Sequence, residues 1–200
     1  MIFRHNKSGK GSIPGSRIGV LGLAPRVGTT HIAVAISNYL SEYEKKRVIL
    51  LEENRHDDIG VLALSLGAKE INEPFSFHRV TYVPHSCPKD SGVMKDLSGC
   101  FVVQDLGCDF KQGLSKIMLC DIKILVGNEG SWRIHEYAKL SEISTGGFLS
   151  TWRLFVNLGN VKKLKEKDGY GLTVCCFPFE PEPVYPGQET ISLLREAIYG

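Results

Sequence analysis

Apolar residues in this chain come in short, nearly unbroken runs: Ile18 to Leu23, Arg47 to Leu51, Val80 to Val83, Cys100 to Gln104, Ile122 to Val126, Arg153 to Asn157 and Leu172 to Phe177. Such runs are too short for helices, and their apolarity does not alternate. That is the pattern of strands covered on both faces. Between the first two runs, Ile32, Ile36, Tyr39, Leu40 and Tyr43 recur at helical spacing and give one apolar face. Further helices are expected at about Asp58 to Leu66, around Trp132 to Leu140 and at Glu189 to Tyr199. Strands separated by helices predict an α/β fold: a doubly wound, mainly parallel sheet of about seven strands with helices on both faces. Residues 1 to 16, rich in Gly, Ser and Lys, read as a mobile arm ahead of a single domain over residues 17 to 200.

Composition narrows this picture. With 200 residues, 42% of them hydrophobic, the chain suffices for one domain with a sizeable core. A formal net charge of +2 creates no bulk field that would argue for nucleic acid. The basic run Lys162, Lys163, Lys165 and Lys167 is interleaved with Glu166 and Asp168 and reads as a solvated face. The six cysteines show no C-x-x-C spacing and mostly sit in apolar runs, where a thiol behaves as a small buried hydrophobe. A disulfide framework and a zinc site are therefore not expected. No run approaches the roughly 20 apolar residues of a membrane span, and the basic N-terminus lacks the pattern of a secretory signal. The expected location is the cytoplasm, with peripheral contact at the inner membrane left open.

The chemistry lies in the segment Arg17 to Leu40, RIGVLGLAPRVGTTHIAVAISNYL, which runs from strand to turn to helix. A phosphate-binding loop has this order of parts. Glycine permits unusual backbone angles, successive amides point at the phosphates, the helix adds its positive end, a Lys reaches the terminal phosphates and a hydroxyl holds Mg²⁺. Here Gly28, Thr29 and Thr30 open the helix, followed by His31. Lysine is missing from the loop, Pro25 removes one backbone donor, and Arg26 is the nearest cation. Taken alone, Gly-Thr-Thr before a helix reads first as an N-cap.

Other segments, taken in order, resemble the MinD/ParA superfamily of deviant P-loop ATPases, and within it the atypical TadZ/CpaE-type branch associated with pili. The loop APRVGTTHIAVAISNYL is similar to the family's KGGVGKTT loop and first helix. The stretch RVILLEENRHDDIGVLALSLG resembles the second strand, its acidic end and the following helix. CFVVQDLGCDF resembles the strand that carries the Mg²⁺-associated carboxylate, which falls on Asp105. DIKILVGNEGSWRIHEYAKL and RLFVNLGNV resemble the later strands, the second ending in a base-contacting Asn at Asn157. The resemblance implies a nucleotide site formed by Arg26, Val27, Gly28, Thr29, Thr30, His31 and Asn157, with Thr30, Asp105 and Glu52 toward a metal. Its implied cofactor is ATP or ADP with Mg²⁺, weakly bound or absent. Its implied partners are proteins of a membrane machine and a second copy of the chain.

The departures redirect the functional expectation. The family's signature lysine falls on Ala24, its two loop glycines on Pro25 and Arg26, and its Walker lysine on Thr29. Glu52 keeps one acid after the second strand, whereas the second acidic position is Asn54. Phosphoryl transfer depends on positioning and charge neutralisation, so each missing group costs on the order of 10³-fold. The expectation is a pseudo-ATPase, or a very weak ATPase, acting as a positioning scaffold for a pilus or secretion system. A genuine ATP-dependent switch using Arg26, and a protein related to bacterial tyrosine kinases, are the alternatives. Each site residue also has a structural reading: Asp105 as a strand-end turn residue, Asn157 as part of a turn, His31 as a packed imidazole and Cys108 as a buried thiol.

Overall fold

The computed structural model describes residues 15–88, 97–129, 131–144, 151–157, 159 and 171–200. Most of the expected N-terminal arm and the lysine run at 162–167 lie outside these residues. In chain order the elements are β1 (Arg17–Gly22), α1 (Thr29–Glu42), β2 (Val48–Glu52), α2 (Asp58–Ser65), β3 (Phe75–Phe77), β4 (Val80–Val83), β5 (Phe101–Asp105) and α3 (Phe110–Ile117). They continue with β6 (Ile122–Asn128), a 3₁₀ segment (Ser131–Lys139), α4 (Leu140–Ser144), β7 (Trp152–Asn157), β8 (Thr173–Phe177) and α5 (Gln188–Tyr199).

All eight strands join one sheet in the order β3-β4-β2-β5-β1-β6-β7-β8. Seven run parallel, matching the seven apolar runs; the eighth, β3, pairs antiparallel with β4 at the edge. The sheet is buried on both faces, as the unbroken apolar runs require. Ile18 and Val20 belong to one core cluster with α1, α2 and α5, whereas Leu21 and Leu23 belong to another with α3 and α4. Ile124 and Val126 against Leu125, and Phe155 against Leu154 and Val156, repeat this alternation.

Besides the extra edge strand β3, two helical elements depart from the sequence reading. Helix α3 is short, and only Phe110, Gly113 and Ile117 of its eight residues are buried, so its apolar stripe is thin. Its start is nevertheless marked: the Asp109 side chain accepts from Gln112 N at 3.2 Å, an N-cap. The segment expected as a helix around Trp132 to Leu140 is mostly 3₁₀ before it becomes α4.

The chain leaves β1 toward β2 on one side, and reaches β6 on the other side only after β5. The strand order therefore switches at β1. In sheets of this kind the crevice beyond the carboxyl ends at the switch is where ligands bind.

Candidate functional site

The carboxyl ends of β1, β2, β5 and β7 converge on that crevice. Gly28 ends the loop after β1 at φ 93°, a left-handed conformation. The backbone angle favours glycine, and a Cβ there would stand 2.5 Å from Asn157 Nδ2, so the Asn157 side chain would have to shift for any other residue. Asn157 in turn donates to the Val27 carbonyl at 3.3 Å, tying the end of β7 to the loop. Arg26 is exposed and also left-handed, at φ 61°, in a position that suits glycine better than arginine.

Helix α1 opens without a side-chain cap. The first amides of a helix lack intrahelical acceptors, so they remain as donors at its positive end. They face a cavity of 610 Å³ lined by Pro25, Arg26, Gly28, Thr29, Thr30, His31, Asp58 and Cys108, among others. Among the described residues that line it, Arg26 is the one guanidinium or ammonium.

Beneath the helix start, Thr30 Oγ1 donates to Asp105 Oδ2 at 2.6 Å and lies 3.3 Å from Asp58 Oδ2. Asp105 is fully buried, and its other oxygen accepts from Gly107 N at 3.0 Å. Burial raises the Asp105 carboxyl above its ordinary range, with the Asp58 charge adding to the rise, against hydrogen bonds, those of Thr30 and Gly107 N foremost, that favour its ionised form. The Gly107 carbonyl accepts from Gly22 N at 2.7 Å and so locks the end of β5 to the end of β1. A hydroxyl and a carboxylate in contact at the start of a helix fit the donor chemistry of Mg²⁺ bound beside a phosphate.

Glu52 lies next to Asp105 in register across β2 and β5 and is also buried. Its oxygens accept from Ile59 N at 3.3 Å and His85 N at 3.1 Å, so the carboxylate anchors the start of α2 and the segment after β4. Burial pushes its pKa to about 7, with the neighbouring Asp105 charge adding to the rise and the backbone donors opposing it. Asn54 is buried too, its Oδ1 accepting from His56 N at 2.9 Å. His31, half-buried on the cavity wall, is pushed below its usual pKa by burial, against a hydrogen bond with the Glu180 backbone and the Glu180 and Glu182 charges.

The structure thus brings Arg26, Gly28, Thr29, Thr30 and His31 to the cavity wall, with Val27 and Asn157 supporting the loop from behind. Among the expected metal residues it joins Thr30 to Asp105 and turns Glu52 toward backbone amides. Two participants went unnoticed in the sequence. Asp58, on the first turn of α2, reaches Thr30; its signal was an acidic pair, Asp57 and Asp58, at the end of the loop after β2. Lys139 closes its 3₁₀ segment, donates to the Leu23 carbonyl and lies 5.7 Å from the centre of the Phe110 ring. No local motif points to it.

No family model matches this chain, and neither does any curated protein. Solved structures do. A putative plasmid partition protein from Borrelia burgdorferi B31, bound to AMPPNP, is similar at 11% identity and a TM-score of 0.61, over 92% of this chain and 98% of that one. MinD cell division protein from Aquifex aeolicus is similar at 15% identity and a TM-score of 0.60, over 92% and 95%. A ParA family ATPase from Chlorobium tepidum TLS is similar at 12% identity and a TM-score of 0.56, over 92% of each chain. The fold is that of the ParA/MinD P-loop ATPases.

Proposed function

We propose that this chain is a positioning or scaffold protein built on a ParA/MinD-type nucleotide fold, with nucleotide binding weak and hydrolysis negligible. The observation that carries the reading is the mismatch within one site. The uncapped start of α1, the tight Gly28 turn and the Thr30–Asp105 pair provide an anion cradle with a metal seat. The loop that should neutralise the γ-phosphate has Ala24 and Thr29 where lysines belong. If Mg²⁺-nucleotide binds, Thr29 and Thr30 amides would meet phosphate oxygens, Thr30 and Asp105 would hold the metal, and Asn157 would lie toward the base. Bound Mg²⁺ would supply charge neutralisation between phosphates. With no lysine at either loop position, and Lys139 engaged at the Leu23 carbonyl, the developing charge on the terminal phosphate stays poorly compensated.

The partner class follows from the TadZ/CpaE-like resemblance: protein components of a membrane-associated machine such as a pilus or secretion system, with the chain at the cytoplasmic face. Among the described residues no helix is long and apolar enough to cross a membrane. A second reading, an ATP-dependent switch, is favoured by one observation: Arg26 is exposed and lines the cavity, where its guanidinium can reach a phosphate. Thermal-shift titration with ATP, ADP and Mg²⁺, combined with a turnover assay on the full chain, tests both. The scaffold reading expects turnover below about one per minute, a barrier above roughly 20 kcal/mol. Faster turnover that disappears in Thr30→Ala would overturn it.

A further inference from the structure

A second pocket lies at the far end of α1, where the helix's 14 residues place it about 20 Å from the phosphate cradle. It has a volume of 310 Å³ and is walled by Glu42, Tyr43, His78, Val184, Tyr185 and Pro186. Its aromatic walls meet at steep angles. The Tyr185 ring stands edge-on to His78, at 5.6 Å and 67°, and to Phe77, at 6.1 Å and 80°. His78 adopts a left-handed φ of 52°, and the next amide, Arg79 N, donates to Ser41 Oγ at 3.2 Å, which pins the turn between β3 and β4 to α1. Tyr43 OH reaches the Pro186 carbonyl at 3.5 Å, tying the end of α1 to the segment before α5. Three separate parts of the chain are thus held around one opening, yet Tyr185 remains 60% exposed and Tyr43 43% exposed.

The wall chemistry selects a cation. Ring faces attract positive charge, and the carboxylate at the rim is Glu42, whose Oε1 lies 4.0 Å from His78 Nδ1 and 3.3 Å from Ser41 Oγ. Glu44, the next acid along, is held more closely, by Tyr39 OH at 2.7 Å and by the Arg195 guanidinium at 3.3 Å, whereas the contacts of Glu42 are longer and both fall on one oxygen, Oε1. Acceptors also distinguish among cations. The Glu42 carboxylate and Pro186 carbonyl suit a group that stacks on a ring while donating from its edge, which a guanidinium does and a quaternary ammonium cannot. We propose that this pocket receives an arginine side chain of a partner protein, at a site independent of the nucleotide cradle.

The test is a ¹H–¹⁵N NMR titration of the full chain with N-acetylarginine amide, its neutral citrulline isostere and choline. The expected result is saturable shifts at the amides of Tyr43, His78 and Tyr185 in the millimolar range, with Gly28 to Thr30 unmoved. Citrulline and choline should bind roughly tenfold more weakly, and Glu42→Gln should weaken the arginine response several-fold. Tyr185→Ala should abolish it with at most a small drop in melting temperature, since the ring is 60% exposed and packs only edge-on against His78 and Phe77. Equal binding of citrulline, tighter binding of choline, or no shift at these three amides would overturn the proposal, and each is read on the unmodified protein.

Discussion

Thr30 Oγ1 donates to Asp105 Oδ2 across 2.6 Å, joining the first turn of α1 to the last residue of β5. Asp105 is wholly buried, so its ionised form depends on donors such as this hydroxyl and Gly107 N. Thr30→Ala leaves a buried oxygen short of a donor and should destabilise the protein by about 1–3 kcal/mol, whereas Thr30→Ser should retain most of the stability. Urea denaturation of the two variants checks this. Identical midpoints for Thr30→Ala and wild type would show that the pair does not hold the two elements together.

The Gly28 turn makes a separable prediction. Gly28→Ala meets two obstacles, the left-handed φ of 93° and Asn157 Nδ2 at 2.5 Å from the new Cβ. The backbone contribution alone is about 1–2 kcal/mol. Asn157→Ala removes the second obstacle but not the first. In a double-mutant cycle, Gly28→Ala should therefore be markedly less harmful in the Asn157→Ala background, and additive effects would refute the contact.

Glu52 gives the protein a pH dependence of defined sign. Its carboxyl is raised to about 7 by burial, so the folded state holds a proton that the unfolded chain has already released above the ordinary glutamate value. The stabilisation is complete at low pH, is lost progressively as pH rises toward 7, and changes no further above it. Its full extent is on the order of 3 kcal/mol. Denaturation from pH 5 to pH 8 should show wild type losing stability relative to Glu52→Gln. Parallel curves would mean that Glu52 does not titrate in this range.

The fold was legible because its signal is repeated: each parallel strand carries its own apolar run, and the central strands β1, β2 and β5 are buried on both sides, so seven independent segments agree. Edge strand β3 has three residues, Phe75–Phe77, and is too short to show a period. Helix α3 hid behind a polar sequence, although its Asp109 cap was visible. The site was legible wherever it depends on local backbone chemistry, as at Gly28 and Thr30. Asp105 could be placed only through family resemblance, because a strand-end aspartate has no local mark of its depth. The contact of Lys139 with the Leu23 carbonyl spans 116 positions and depends on packing that no local window contains. Glu52 shows the same limit: its position after β2 was evident, but its engagement by Ile59 N and His85 N arises only when the loops close around it.

Association should be uncoupled from nucleotide. In the family this chain resembles, a signature lysine from one subunit contacts the other's phosphates, which links dimerisation to ATP. Ala24 occupies that position and is almost fully buried, so it can make no such contact. A dimer of this chain should therefore form to the same extent with or without Mg²⁺-ATP. Arg26 is the competing group, exposed at the cavity mouth with a planar guanidinium able to serve a phosphate in its own subunit or in the other. Its left-handed backbone makes it separable from the fold, since Arg26→Gly relieves an unfavourable φ while removing the charge. Light scattering on wild type, Arg26→Ala and Arg26→Gly, each with and without saturating Mg²⁺-ATP, distinguishes the cases. Nucleotide-independent association in all three supports the scaffold. A dimer that needs ATP in wild type and is lost in both variants would instead make Arg26 the replacement for the missing lysine, and the chain a switch.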